Sequence, residues 1–445
     1  MVVLSFTKHL ISQMLFLDGG FMKLSKYNIY KKKENSLFLV NTLTGSVANI
    51  FDPELLDIIK RLRKKENVEK NSDAKNLFDL GFLKEDEDNE CLPVDKIIQN
   101  YKNNELTLTL FTTRQCNFRC VYCYEKFNDT YLSKHNFETI MSFIQKCCEK
   151  NDIKKIRINL FGGEPLLNYT NIIFFLNELN EFCKESDINV SVGMTTNGYL
   201  LKKDKYENLL SLGLKDVQIT LDGFEQEHNQ KRYLRNKGKT FRNILQNLDD
   251  ICGVKNHSKI LIRTNFDADS LQQEKKFLLY LNKRYAHHIV VHYEAIKKWN
   301  DNYKNHVLDS SQEHHEIVDL IQFCRENGIH DSYSSHLSHG RLACVHAQKN
   351  SFIVDANMNV LNCTIDLDHA VAQLDEDGNC CFNENHKLKQ SSFKECDACA
   401  LLPMCLYTRC PASRLKRCDP IKNCKEYIDI LDAHYNTRKE MYHDI

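Results

Sequence analysis

The sequence predicts an α/β fold built on a partial (β/α)6 barrel, with a small unit before it and a cysteine-rich domain after it. Three observations lead there. From Glu105 to about Ile296, strand-like runs alternate with amphipathic helical stretches. A tight cysteine loop and several Gly, Asn and Asp residues fall where those strands end. From about Leu342 the periodicity gives way to clustered cysteines.

The bulk composition narrows the function classes. A chain of 445 residues exceeds what one core usually organises, and 42% apolar residues suffice for a sizeable interior. Sixty basic residues cancel sixty acidic ones, so no electrostatic footprint for nucleic acid or an anionic membrane is present. Nineteen cysteines are too many for an ordinary cytosolic enzyme, and a secreted disulfide scaffold would be shorter and carry a signal peptide. Residues 1–21 lack a basic start, a clean apolar run and a small-residue cleavage site. They read as a weakly structured extension, with Met14 and Met22 as alternative starts. No run of eighteen apolar residues exists, so a cytoplasmic location without membrane spans is expected. The thiols then point to metal, and their odd number leaves some as plain core or surface cysteines.

In residues 22–100 the runs YNIYK and SLFLVN flank a Thr42-Leu43-Thr44-Gly45 turn. A helix is predicted from Asp52-Pro53 through Leu62, and another from about Asp73 to Leu80, stopped by Gly81. Strand, strand, helix, helix fits a winged-helix-like unit; the alternative is a plain cap on the next domain. The barrel strands, within 105–300, read LTLTLFTT, KIRINLFGG, NVSVGMTTNG, DVQITLDG, KILIRTNF and HHIVVHYEAI. Chemistry in such folds sits at the carboxyl ends of the strands. Residues 301–341 read as a linker, 342–425 as the cysteine-rich domain, and 426–445 as a polar helix.

CNFRCVYC places Cys116, Cys120 and Cys123 on the loop leaving the first strand. Three thiolates on so short a loop can ligate three irons of a cubane and leave the fourth open for an exogenous ligand. Structural zinc normally takes four protein ligands in two separated pairs. Gly162-Gly163-Glu164-Pro165, Thr195-Thr196-Asn197-Gly198 and Thr220-Leu221-Asp222-Gly223 follow at successive strand ends. This set resembles the radical S-adenosylmethionine (SAM) superfamily, with Tyr122 at the aromatic position before the third cysteine. The resemblance implies a 4Fe–4S cluster whose open iron chelates the amino and carboxylate groups of SAM. It implies that Gly162 and Gly163 let the backbone approach the methionine and that Glu164 accepts from its ammonium. Asn197 matches the third-strand motif, and Thr220 and Arg232 would contact the ribose or carboxylate.

The tail carries Cys344 and Cys363, then Cys396, Cys399, Cys405 and Cys410, then Cys418 and Cys424. It is similar to the SPASM domain, which holds two auxiliary 4Fe–4S clusters. It departs by lacking the usual glycine before the second cysteine and by one extra residue between Cys405 and Cys410. The resemblance assigns Cys344, Cys363 and Cys410 to the first auxiliary cluster, and Cys396, Cys399, Cys405 and Cys424 to the second. Cys418 is either a spare thiol or a fourth ligand; if spare, the first auxiliary cluster has an open iron able to hold a substrate thiolate. Two zinc sites from the same cysteines are the alternative. Cys380-Cys381 and Cys91 lack ligand spacing, and Cys147, Cys148, Cys183 and Cys252, in or at the end of helical runs, read as buried or surface thiols. His287-His288 and His314-His315 read as ordinary histidines.

The whole layout resembles maturases of ribosomally made peptides. It implies a 5′-deoxyadenosyl radical that takes hydrogen from a precursor peptide, gripped by the N-terminal unit through strand addition. A Cys thioether cross-link is the favoured product, and an electron donor of the flavodoxin or ferredoxin type is expected. The rival activity is anaerobic formylglycine formation, for which an acidic residue would follow Cys363; Thr364 stands there. A rival of another class is an iron–sulfur redox sensor without turnover.

Overall fold

The computed structural model describes residues 21–70, 74–85, 90, 104–298, 303, 306–335, 344–348, 350–383, 396, 399–405 and 420–435. The extension 1–20, Cys91, Cys410, Cys418 and residues 436–445 lie outside the described residues. The chain divides into two units: Met1–Tyr101 with Ser335–Cys344 and Gln390–Ile445, and Lys102–Ser334 with Val345–Lys389.

The first unit holds β1 (Phe21–Leu24), β2 (Asn28–Lys32), β3 (Leu37–Asn41), β4 (Ser46–Ile50), β5 (Val68–Glu69) and β6 (Leu83–Glu85). They form two three-stranded sheets, ordered β5-β1-β6 and β2-β3-β4. The predicted turn at 42–45 joins β3 to β4, with Gly45 at φ +72°. Asn41, fully buried, fastens it: Oδ1 accepts from the Leu43 and Thr44 amides, and Nδ2 donates to Ser25 Oγ, Asn28 Oδ1 and the Gly81 carbonyl. The first predicted helix is Pro53–Arg63, started by Asp52 accepting from the Glu54 and Leu55 amides, with Pro53 in its first turn. The second spans Lys75–Asp79, and Gly81 follows at φ +77°. β5 and β6 are too short for any periodicity to register in the sequence.

One face of β2-β3-β4 shares a core with the C-terminal stretch. Ile29, Phe38, Val40 and Val47 pack with Leu401, Met404, Tyr427, Ile428 and Leu431. Lys31 and Lys33 pair with Asp429 and Asp432 of the helix Pro420–Tyr435 at 2.6–3.0 Å. Strands β2 to β4 and the helix Pro420–Tyr435 therefore belong to one core.

The second unit is built on β7 (Glu105–Thr113), β8 (Lys155–Gly162), β9 (Asn189–Thr196), β10 (Leu214–Thr220), β11 (Lys259–Phe266) and β12 (Ile289–Ala295). All six run parallel in the order β12-β11-β10-β9-β8-β7. Their side chains alternate between two faces of different character. Leu108, Ile158, Val192, Val217, Ile262 and Val291 are buried on one face, as sealing against helices requires. The other face carries polar residues: Arg157 reaches Asp216 and Asn159, and Asn159 reaches Thr109.

The stretch 301–341 is not a plain linker. Its described part contains the helix Ser310–Glu326, capped by Asp309 with Gln312 and burying Ile317, Leu320, Ile321 and Cys324. The cysteine-rich tail is likewise divided between the units. β13 (Ser351–Val354) pairs parallel to β7, and β14 (Asn359–Cys363), β15 (Asp366–Leu374) and β16 (Cys380–Phe382) extend the sheet antiparallel. The free edge of β7 attracts them because its backbone groups would otherwise be buried unpaired.

Candidate active site

The cysteine loop leaves β7 and is fixed by its own backbone. The Arg119 amide donates to the Tyr233 carbonyl at 2.8 Å and the Val121 amide to the Lys231 carbonyl at 3.0 Å. The Arg119 guanidinium folds back onto the Cys116 and Phe118 carbonyls at 2.7 and 2.6 Å, while Phe118 is fully buried beneath. The Phe118 amide donates to Cys116 Sγ at 3.3 Å, and Asn197 Nδ2 lies 3.9 Å from the same sulfur. Burial pushes the Cys123 thiol up to about 12 and the Cys116 and Cys120 thiols up as well. Glu164 and the sister thiols push Cys116 further in that direction. Metal binding therefore has to displace the protons.

The three cysteines open onto one cavity of about 490 Å³. Its wall takes residues from the carboxyl ends of β8 to β12, among them Phe161, Thr196, Thr220, Asn265 and Ala295, with Thr364 and Ile365 from the turn after β14. Of the residues expected to hold SAM, Gly162, Gly163, Asn197, Thr220 and Arg232 line it.

The glycines have a reason the sequence did not reveal. A Cβ on Gly163 would sit 2.1 Å from the Gln115 carbonyl oxygen. One on Gly162, at φ +115°, would meet the Thr113 carbonyl at 2.4 Å. Both are bare so that this turn can lie against the cysteine loop itself. Glu164 is fully buried and is not among the residues of the wall. Its Oε1 accepts from the Leu166 amide at 3.1 Å and Thr196 Oγ1 at 2.7 Å, and its Oε2 from the Asn197 amide at 2.8 Å. Burial raises its pKa against the pull of these bonds. Its visible work is to lock the ends of β8 and β9 together.

A second lock joins the cysteine loop to β10 and β11. The Tyr122 hydroxyl donates to Asp222 and accepts from Arg232 Nη1 at 2.9 Å and Asn265 Nδ2 at 3.2 Å. Asp222 Oδ1 accepts the Asn265 amide at 2.9 Å. Asp222 and Asn265 obey the same strand-end rule that singled out Asn197, but nothing in the sequence couples them to Tyr122. Tyr122→Phe leaves the buried Arg232 and Asp222 each short of a partner. We expect it to lower the stability of the protein by about 1–3 kcal/mol, readable in thermal melts, and to raise the KM for SAM.

Among the described residues no three His, Cys, Asp or Glu side chains converge on a single metal ion. Cys116, Cys120 and Cys123 share one cavity, where each could take its own iron of a cubane. In the other unit Cys399 and Cys424 hydrogen-bond, which pulls Cys399 down to about 6. Both pack on the core around Leu401, with Cys405 nearby against Leu402. Cys344 and Cys363 belong to different units. Cys183 and Cys252 are buried within helices, and His257 and His288 face each other at 3.0 Å.

Residues 110–264 match the radical SAM superfamily model. A Campylobacter jejuni GTP 3′,8-cyclase is 35% identical over 146 residues, 32% of this chain and 42% of that protein. The chain thus spans about two fifths of the length of that relative. The radical SAM cyclopropyl synthase TigE of Paramaledivibacter caminithermalis is 24% identical over 369 residues, covering 70% of this chain and 71% of TigE. The solved structure of anSMEcpe with bound AdoMet and the Kp18Cys peptide superposes with a TM-score of 0.58 at 16% identity, covering 75% of this chain and 97% of that one. With the cysteine loop at the end of the first strand of a curved parallel sheet, residues 110–264 are a domain of the radical SAM superfamily, whose cofactors are a 4Fe–4S cluster and S-adenosylmethionine.

Proposed function

We propose that this protein is a radical SAM peptide maturase that removes hydrogen from a precursor peptide and closes a Cys thioether cross-link. The observation that carries this reading is the single cavity in which the cysteine loop, the Gly162-Gly163 turn and the turn after Cys363 meet. Cys116, Cys120 and Cys123 would hold the cluster, and the two glycines with Asn197, Thr220 and Arg232 would hold SAM. When bound, these cofactors supply a 5′-deoxyadenosyl radical that abstracts a hydrogen atom. The chain's own part is to fix the strand ends through Glu164 and the loop through Tyr122, to shield the cavity, and to place the peptide. Cys344, Cys363 and Cys410, and separately Cys396, Cys399, Cys405 and Cys424, would hold auxiliary clusters. The relatives support this reading: one is named a cyclopropyl synthase, and anSMEcpe was solved with the Kp18Cys peptide bound. Formylglycine formation is less well supported, because the uncharged Thr364 stands on the cavity wall where an acidic residue is expected.

The test is anaerobic incubation with SAM, a reductant and candidate precursor peptides, read by mass spectrometry. A peptide that loses two hydrogens, with one 5′-deoxyadenosine formed for each loss, is the expected result. Exchange of a Cys sulfur for oxygen with loss of two hydrogens would turn the reading to formylglycine formation, and no change in any peptide would end it. Peptide grip is better tested by a point change than by deletion, since removing residues 22–100 would strip the core shared with Leu401 and Ile428. Phe51 is 48% exposed just beyond the edge strand β4. Phe51→Asp should lower peptide modification about tenfold more than peptide-free SAM cleavage.

A further inference from the structure

Five charged side chains line the cavity, and four of them have partners. Arg232 is held by Tyr122, Arg263 donates to Asn265 Oδ1 at 2.8 Å, and Lys297 pairs with Glu313. Glu294 Oε2 lies 3.5 Å from His292 Nε2. The fifth is Glu125, two residues beyond the last cysteine of the loop. Its Oε2 is buried and has no hydrogen-bond partner among the described residues. Arg114 is the oppositely charged group that acts on it, yet no ion pair joins them. Arg114 Nε and Nη1 are themselves buried without partners in a side chain only 6% exposed. A buried carboxylate oxygen left without a hydrogen bond is costly unless a polar group joins it.

The position says what that group is. Thr364 and Ile365, which follow Cys363, share the cavity wall with Tyr124 and Glu125. The residues expected to hold SAM come instead from the ends of β8, β9 and β10 and from Arg232. Glu125 therefore belongs to the part of the wall those residues leave free. Phe127, Phe161 and Ile365 add apolar surface to the wall, which suits a peptide segment with one amide to satisfy.

We propose that Glu125 is a substrate-recognition residue whose carboxylate accepts an amide N–H of the peptide beside the reacting residue. This rests on the peptide-maturase reading. The probe is a library of capped Cys-containing peptides, offered to the cluster-loaded protein with SAM. Relative to wild type, Glu125→Ala should raise the peptide KM about tenfold or more, with a smaller change in kcat. Glu125→Gln, which keeps an acceptor oxygen, should recover most of that loss. Equilibrium dialysis of the same peptides against protein without SAM should show the same order of affinities. A Glu125→Ala protein that binds and turns over peptides like wild type overturns the proposal. So does a rise in the KM for SAM with the peptide KM unchanged, and so does Glu125→Gln failing as badly as Glu125→Ala, which would mean a cationic partner. A wild-type protein indifferent to every peptide overturns the maturase reading itself, an outcome distinct from a responsive wild type matched by its variant.

Discussion

Replacing Cys116, Cys120 and Cys123 together by Ala abolishes 5′-deoxyadenosine formation and removes about four of the roughly twelve irons that three 4Fe–4S clusters would hold. The fold survives the change. The three thiols sit on a loop whose anchors are backbone bonds to Tyr233 and Lys231 and the buried ring of Phe118, none of which needs sulfur. Circular dichroism of the variant should match wild type, while the brown colour and iron content fall. Turnover by the triple variant would overturn the assignment of this loop as the site. A wild-type iron content of about four per chain would remove the auxiliary clusters and leave the loop's role intact.

Gly163→Ala is the single substitution with the largest expected effect outside the cysteines. The added methyl would lie 2.1 Å from the Gln115 carbonyl oxygen and 2.6 Å from its carbon. Both obstacles are backbone, so no side chain can swing aside. The turn has to separate from the cysteine loop, breaking the Glu164 amide bond to the Gln115 carbonyl, now 2.9 Å. Such overpacking costs about 1–3 kcal/mol. Because the displaced segment is the one that sets Cys116 against the proposed SAM site, activity should drop at least about a hundredfold. Thermal melts and deoxyadenosine assays on the same preparation separate the two effects. A Gly163→Ala protein with wild-type activity would show that the turn and the loop need no close contact.

These two predictions differ in how much the sequence could say. The cysteine triad announces itself, because a spacing of three thiols along one short loop is a property of the chain. Gly163 is visible in the sequence as part of a motif, but its reason is a carbonyl forty-eight positions earlier. Glu164 shows the same limit. As a charged residue at a strand end it reads as a cofactor contact, whereas its three bonds run to Leu166, Thr196 and Asn197. Tyr122 bonds to Asp222 and Asn265, partners one hundred or more positions distant.

The six barrel strands and the first helix were legible for a physical reason. Alternation of period two and a capping Asp-Pro are written in consecutive residues. The helix Ser310–Glu326 was hidden because its apolar face is interrupted by polar residues and its cap, Asp309, follows residues without pattern. The four-strand extension from β7 and the core shared by Ile29, Phe38 and Leu431 could not be read at all. Sheet edges and shared cores are made by segments hundreds of residues apart, and period and composition carry no record of which edge meets which strand.

The sequence by itself therefore determined the α/β class, the parallel strands and the three cysteines able to hold a cluster, since each is a local pattern. Only the tertiary structure decided that Gly163 serves the cysteine loop, that Glu164 is a lock between two strands, and that Glu125 faces the cavity unpartnered. Those are properties of what lies within a few ångströms, and distance in space is set by packing rather than by order along the chain.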